Sequence, residues 1–577
     1  MGQLLWGWLL QRPHKRETFS TGTWTMKQHV KDYIEKFNEQ DVSVEYKCVN
    51  ALQKTPWRIN AFVCDVLRTA WDSGQQWEGL PARENIDVPP YPFDIEPKDL
   101  REDQRQEFKE FKAKRNAIYS ENARNMSRRI QVERTIQLAE EYTEHDNFWF
   151  VWQLDFRGRK YPVESFLSPQ NADYSKALLE FSTPATMDNA EDARWLAIHG
   201  ANVFGVDKVS LEDRELWAYM NVENAKAVLS DPLGNKWWQE ADKPWQALAW
   251  CKEWAEYNAA RATGEPYETR LPCASDGSCN GLQHLSAMLR DADGGRAVNL
   301  TPSKVPQDIY SDVAQRTTAL LEQEGTLMAR QLLEVGVCRK ICKRPVMIVP
   351  YSGTRHSCRD YIKDALEDKC KGRNPWGDDF FQPSLYLAGF VWQAINEVII
   401  SAFAAMNYIK EIAKLYVENN LSFSWLTPTN LVVRQFYPTS NKKRIRSHLN
   451  GSLVSLSYRE TKDDTIDKRK MLSGASPNFV HSLDAAALTL TVSKCVDAGL
   501  TDFAMVHDSY GTHSPNMPLL NDKLREAFVE MYEEHDVLLD LYTNAVATLP
   551  QEVLVPPPPK KGTLNLKEVL ESDYFFA

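Results

Sequence analysis

The sequence predicts an α+β protein, mainly helical and built of several domains. Three observations carry this. At 577 residues the chain is too long for one core. Long segments at 98–146, 185–260, 327–366 and 476–498 read as helical. Strand signals are few and come in pairs about tight turns, at 148–162, 435–464 and 503–513, which points to small antiparallel sheets.

The composition, 43% hydrophobic and 25% charged, is that of a soluble globular protein. Lys plus Arg number 68 against 79 Asp plus Glu, a net charge of −11. That argues against a protein that coats DNA by charge alone. It leaves a nucleic-acid enzyme open, because local clusters set the field that a ligand meets. The ten cysteines form no CxxC pair and no Cys/His ligand spacing. Cys338 and Cys342 stand one helical turn apart with no second half of a metal site, so free cysteines in a reduced, cytosolic setting are expected. No segment reaches the ~18 apolar residues of a membrane span. The start, MGQLLWGWLLQR, has no basic leader or cleavage site, and Trp6 stands where a myristoylation signal needs Ser or Thr. An amphipathic or buried helix is expected there.

Taken in order, VPPYPFDIEP at 88–97 carries four prolines and breaks regular structure. The charged stretch 98–146 is expected as a solvated helix pair, with an Arg/Lys excess between Lys112 and Arg129 suited to a phosphate backbone. FWFVWQLDFRGRKYP at 148–162 is strand-like, then tight. From 185 to 260 helices alternate with Trp-rich turns. At CASDGSCNGLQHLSAMLRD (273–291) an acid, Asp276, ends a small apolar run. Gly277, Ser278, Cys279, Asn280 and Gly281 follow, more small residues than a strand-to-helix turn needs. Something large must approach that backbone.

In RKICKRPVMIVPYSGTR (339–355) helical spacing puts Arg339, Lys343 and Met347 on one face, with Pro350 and Tyr351 a turn further on. Ile341, Val346, Ile348 and Val349 bury the helix. A buried helix with cations on one face needs an anionic partner, and the spacing suits a triphosphate. Pro345 and Pro350 imply either a kinked helix that pivots or two short helices. QFYPTSNKKRIRSHLNGSLVSLSYRETKDD alternates about Asn450-Gly451, a strong hairpin signal. A helix over 476–498 is expected, with Ser476 as N-cap and Pro477 at its first position. FAMVHDSYGTH (503–513) reads as strand, sharp turn, strand, with Asp508 at the tip. PPPP at 556–559 reads as a rigid linker, and the chain ends in YFFA.

Two carboxylates held together at strand ends repel, and a divalent cation resolves the conflict. Mg²⁺ favours one or two carboxylates plus phosphates and water. A pair of such ions activates a hydroxyl and stabilises leaving pyrophosphate.

DGSCNGLQHLSAMLRD, RKICKRPVMIVPYSGTR, SPNFVHSLDAAAL, HDSYGTH and DFRGRKYP closely resemble, in order and spacing, the single-subunit DNA-dependent RNA polymerases of T-odd bacteriophages. Mitochondrial relatives are more distant. The likeness runs from about Asn50 to Ala577. It implies a right-hand polymerase with thumb, palm and fingers and an antiparallel palm sheet. The implied division is a short N-terminal remnant (1–60), thumb-like helices (61–146), a first part of the palm (147–292), fingers (293–481) and a second part of the palm with the tail (482–577). A promoter-reading-type hairpin falls at about 435–465.

The resemblance also implies roles. Asp276, the Gly277 carbonyl and Asp508 would hold two Mg²⁺ ions. Arg339 and Lys343 would bind the incoming triphosphate, with Lys343 the proton donor to pyrophosphate. Tyr351 would check base and sugar, and His481 would sense the 2′-hydroxyl. Tyr310 would pack beside nucleotide and template, and Arg159 would face the hybrid. In the hairpin, Lys442, Lys443, Arg444, Arg446, Arg459 and Lys462 would contact phosphates and base edges. The implied partners are DNA template, nascent RNA and NTPs, in the cytoplasm of a bacterial host.

Two departures from the family stand out. Ser352 replaces the glycine that usually follows the fingers tyrosine. Only about 50–60 residues precede the match, where the family carries a promoter-handling domain, so a second polypeptide supplying it is an expectation. A DNA polymerase of the same fold is the rival reading. It would place a bulky Glu shortly after the first aspartate, and Gly277–Asn280 leave that space open. A non-catalytic subunit is opposed by the retention of both aspartates, Lys343 and Tyr351.

Overall fold

The computed structural model describes residues 41–577 apart from 371–374, 378, 450 and 451. The LLWGWLL stretch, most of the 1–60 remnant and the Asn450-Gly451 tip lie outside the described residues.

The molecule is mainly helical, with small antiparallel sheets between the helices. Helix α1 (Ser43–Lys54) is followed by α2 (Glu102–Thr143), a single helix of 42 residues rather than the expected pair. No Gly or Pro interrupts its sequence, so nothing ends it early. Its C-terminal part is anchored through buried Val132, Ile136 and Ala139, and its earlier part through Phe108 and Phe111 against Tyr91 and through Asn122 to the Ile86 backbone. Strands β1 (Trp152–Leu154) and β2 (Lys160–Pro162) then pair across the DFRGR turn. In the following helices α3 (Arg194–Phe204) and α4 (Pro244–Thr263) the tryptophans are mostly helical rather than in turns. Trp245, Trp250 and Trp254 are fully buried along α4, and the Trp250 and Trp254 rings stack. Indole N–H groups of Trp250 and Trp254 donate to the carbonyls of Leu196 and Ala218, which satisfies them in the core.

Strand β3 (Cys273–Asp276) leads through a short turn into the buried helix α5 (Asn280–Leu289). Helices α6 (Ile309–Glu324) and α7 (Arg339–Met347) follow and pack together. Strands β4 (Pro438–Leu449) and β5 (Ser452–Ile466) pair antiparallel as a hairpin, with Leu449 opposite Ser452. Helix α8 (Lys468–Asp497) then crosses the molecule, packing against α1, α5 and α9 (Met517–Glu534).

Helix α8 begins eight residues before the expected cap at Ser476. Asp467 caps it, its carboxylate accepting from the Lys470 N–H. Ser476 and Pro477 therefore lie inside the helix. Burial of Met471, Ala475 and Phe479 about the proline outweighs the one backbone bond that it removes. A boundary between 481 and 482 falls within this one helix.

Strands β6 (Ala504–Val506) and β7 (Ser509–Thr512) complete a three-stranded antiparallel sheet in the order β6-β7-β3. The chain ends against it: Gly277 and Phe576 form a bridge beside β3. Val555 of the proline-rich stretch is buried, and the Pro556 carbonyl accepts from the Tyr408 hydroxyl, so this segment packs against the body. Among the described residues no single helix is long and apolar enough to cross a membrane. One bent pair, Phe381–Val398 and Ile400–Glu418 at 92°, passes by length and composition.

A buried ion pair ties α1 to β2 and α8. Lys160 Nζ lies 2.8 Å from Glu45, with side chains 1% and 2% exposed. Glu45 also accepts from the Thr429 and Thr489 hydroxyls. Removing one partner strands a buried charge. Glu45→Ala is expected to cost about 3–5 kcal/mol, whereas Glu45→Leu with Lys160→Met costs far less. Thermal melts of the two variants check this.

Candidate active site

Strand β3 ends on Asp276, opposite Ser509 in β7. Val506 pairs with Ser509, so His507 and Asp508 form the turn between β6 and β7. His507 has φ 54°, a left-handed conformation that histidine adopts more readily than most residues. The Gly277 N–H donates to the Asp508 carbonyl at 3.0 Å, locking the two acid-bearing ends side by side. Both acids open onto a cavity of about 550 Å³, and Gly277, Tyr310, Arg339 and Lys343 line it as well. Six residues named from the sequence thus share one site.

The carboxylates differ. Burial, then the neighbouring Asp484 and Asp276 charges, push Asp508 up to about 6. Burial opposes ionisation of Asp276 too. The Lys243 charge and hydrogen bonds from Ser509 and Lys243 outweigh it and hold Asp276 below its ordinary value. Both side chains are exposed, but to a concave wall rather than bulk water, which is why burial still acts on them. Lys243 Nζ lies 3.2 Å from Asp276 Oδ2. Sequence reasoning missed Lys243, and with it Lys176 and Lys208 of the same cavity. Each is a lone lysine with no periodic signal around it.

The donor set fits Mg²⁺. It offers two carboxylates and the Gly277 carbonyl, which accepts from the Cys279 N–H at 3.0 Å and keeps a second lone pair. Among the described residues no group of three or more His, Cys, Asp or Glu would hold a metal by itself.

Helix α7 supplies the opposite charge. Arg339 Nε donates to Asp308 at 2.9 Å, and its guanidinium lies 5.3 Å from the Tyr310 ring centre. Lys343, one turn on, is lowered from the ordinary lysine range by burial and then by Arg339. The helix ends at Met347, and a new helix, Arg355–Lys369, follows. The segment is therefore neither one kinked helix nor two short ones: a single short helix, with Pro345 inside it, is followed by a turn. Pro350 and Tyr351 lie in that turn and not on the Arg339 face. The Ile348 carbonyl accepts from the Tyr351 and Gly353 N–H groups at 3.1 and 2.8 Å, and this fold-back puts Ser352 at φ 60°.

That turn places Tyr351 behind the cavity wall. Its ring lies 4.6 Å from that of His481. A Cβ on Gly281 would stand 2.9 Å from Pro350 Cβ and 3.1 Å from the Tyr351 hydroxyl. A Cβ on Gly277 would meet the Phe576 ring at 3.0 Å. What closes on the small residues after Asp276 is therefore the chain itself.

Behind the wall, Arg159 donates from Nε and Nη2 to Asp484 at 2.9 and 2.7 Å. The other Asp484 oxygen accepts from Asn280 at 2.6 Å. Arg159, Tyr351 and His481 thus form a second cluster rather than part of the cavity lining. On the hairpin, Lys442, Lys443, Arg444 and Arg446 are exposed, and Lys443 is tied to Glu460 at 2.6 Å. Arg459 and Lys462 lie on β5, paired through the backbone with Lys442 and Thr439. None of Lys442, Lys443, Arg444 and Arg446 lines the cavity.

Comparison with known proteins decides the family. The family model for DNA-dependent RNA polymerase matches residues 188–555. This chain belongs to the DNA-dependent RNA polymerase family. It is 33% identical to the DNA-directed RNA polymerase of Enterobacteria phage K11, over 97% of this chain and 67% of that protein. To the T7 RNA polymerase of Escherichia phage T7 it is 34% identical, over 96% and 66%. To the mitochondrial DNA-directed RNA polymerase 1 of Arabidopsis thaliana it is 33% identical, over 92% and 54%. The likeness thus reaches upstream of Asn50. The chain spans about two thirds of the length of these phage relatives and about half that of the plant one.

The structure shows a physical cost at Ser352. It is a non-glycine residue in the left-handed region, and its hydroxyl is buried without a partner. Ser352→Gly removes both penalties and adds only the flexibility of glycine, for a net gain of about 1 kcal/mol. A higher denaturation midpoint is the expected result.

Buried histidines set an acid limit. Burial holds His199 and His284 down to about 4, against 6.5 when unfolded. The unfolded chain therefore takes up protons that the folded one refuses, so their contribution is complete above pH 6.5 and lost as pH falls towards 4. Each is expected to cost on the order of 2 kcal/mol at pH 5, seen as a fall in thermal midpoint between pH 7.5 and 5.

Proposed function

We propose that the chain synthesises RNA on a DNA template. The RNA 3′-hydroxyl gives up its proton to water, its oxygen bonds to the α-phosphorus of a template-paired NTP, the bond from that phosphorus to the bridging oxygen breaks, and pyrophosphate leaves. One observation carries the reading: Asp276 and Asp508, on paired strand ends, face Arg339 and Lys343 across one cavity.

Asp276, Asp508 and the Gly277 carbonyl would hold two Mg²⁺, which when bound supply Lewis-acid stabilisation of the attacking and leaving oxygens. Lys243 would give up its contact with Asp276 to that charge. Arg339 and Lys343 bind the β- and γ-phosphates as the bound NTP docks. The depressed Lys343 suits the transfer of its proton to pyrophosphate. Tyr310, beneath the Arg339 guanidinium, borders the nucleotide. Tyr351 and His481 check the sugar from behind, and Arg159 orders their surroundings through Asp484. The larger division is a right hand, with α2 in the thumb, the β6-β7-β3 sheet in the palm and α6 and α7 in the fingers. The basic hairpin β4-β5 contacts promoter DNA.

The partners are a DNA template, nascent RNA and NTPs, and the setting is the cytoplasm of a bacterial host. The comparisons lend no support to a second polypeptide. A DNA polymerase is disfavoured because no bulky acid stands between Gly277 and Asn280.

An RNA primer on a DNA template with Mg²⁺ and NTPs tests the reading. The wild type should extend the primer, and Asp508→Asn should slow extension by at least about a hundredfold. Unimpaired extension by Asp508→Asn would falsify the metal assignment. Equal use of dNTPs by the wild type would remove the sugar check. Tyr351→Phe should shift selectivity towards dNTPs.

A further inference from the structure

A further residue at the second cluster has no role so far. Arg157 lies in the turn between β1 and β2. Its Nη1 stands 2.9 Å from His481 Nδ1. A guanidinium carries only donors and stays protonated, so the nitrogen it meets must be an acceptor. His481 is therefore neutral with its proton on Nε2, on the far side of the ring. We propose that Arg157 is a positioning residue, which pins the His481 ring and its Nε2–H tautomer so that this N–H can donate to a ribose 2′-hydroxyl. The inference rests on the sugar-checking reading of His481 above.

The arginine is itself held. Asp155 accepts from Arg157 Nε at 2.9 Å and from Nη2, while its other oxygen accepts from the backbone N–H groups of Arg157 and Arg159. Asn478, one turn before His481 on α8, places its Oδ1 3.5 Å from the same Nη1. Its Nδ2 donates to Gln435 and to the Tyr437 hydroxyl, which fixes its orientation. The His481 ring thus has Arg157 at one edge and the Tyr351 ring 4.6 Å away. Burial, then the charges of Arg159 and Arg157, keep it neutral, down to about 3.

Pinning matters for selection. A free imidazole facing a deoxyribose can turn or change tautomer and relieve its unpaired polar edge. A pinned Nε2–H cannot, so the penalty for a missing 2′-hydroxyl is retained. Discrimination then depends on Arg157 as much as on His481.

The test compares the ratio of kcat/KM for an rNTP to that for its dNTP, in primer extension, for four variants. Arg157→Gln and His481→Ala are each expected to lower the ratio about tenfold, and the double variant to fall no further than either. Arg157→Lys, still donor-only, should recover most of the ratio, which a merely structural role would not predict. An unchanged ratio in Arg157→Gln, or a double variant that falls by the product of the two, overturns the proposal. If His481→Ala leaves the ratio unchanged, the sugar-checking reading itself fails, and with it the use proposed for the pinned proton. ¹⁵N shifts of histidine-labelled protein then judge the pinning separately. The wild type should show protonated Nε2 at His481 and Arg157→Gln a mixture of tautomers; an unaltered tautomer in Arg157→Gln overturns the positioning role as well. Should Arg157→Gln not fold, Arg157→Met with the same readouts takes its place.

Discussion

The carboxylate of Asp484 is the point at which three distant segments become one site. It is buried on α8 and takes Arg159 from the β1-β2 turn on one oxygen and Asn280 from the start of α5 on the other. Without Arg159 it would be a lone buried charge, and without it Arg159 would be one too. The constraint is mutual, so the DFRGR turn, the segment after Asp276 and the middle of α8 must arrive together. Asp276, His481 and Arg157 all hang from those three segments.

A second layer of order comes from pairing charges around the cavity. Lys243 meets Asp276, Arg339 meets Asp308, and Lys208 meets Asp207. Each cation is held near an acid, so a polyanionic ligand would find the donors already in place. Lys343 lies one turn from Arg339, and burial and then that neighbouring charge lower it from the ordinary lysine range. The chain with a net charge of −11 thus gathers six cations beside five acids around one cavity, so the local balance differs from the total.

Much of this was legible in the text. The sharp turn at His507-Asp508 follows from a short β-rich run on either side, and the acid at the end of β3 from the small residues after it. The Arg339/Lys343 stripe follows from helical period alone. Among the features read differently, three have a clear cause. The charged stretch forms one helix because nothing interrupts it. Helix α8 starts at Asp467 because an earlier cap was available and Pro477 is tolerated once buried. Tyr351 left the α7 face because the chain folds back on the Ile348 carbonyl, a backbone event with no periodic trace beyond Gly353.

The sequence by itself determined which chemistry the chain can do: acids at strand ends, cations at one helical turn, small residues where backbones close up. These are local patterns, and local spacing is what a linear text records. Only the tertiary structure decided how they divide, with a cavity wall in front and the Tyr351, His481 and Arg159 cluster behind. It alone brought Lys243 to Asp276 and Arg157 to His481, pairs 33 and 324 residues apart. Contacts across such separations arise when helices and sheets pack, and no residue type at either end announces its partner.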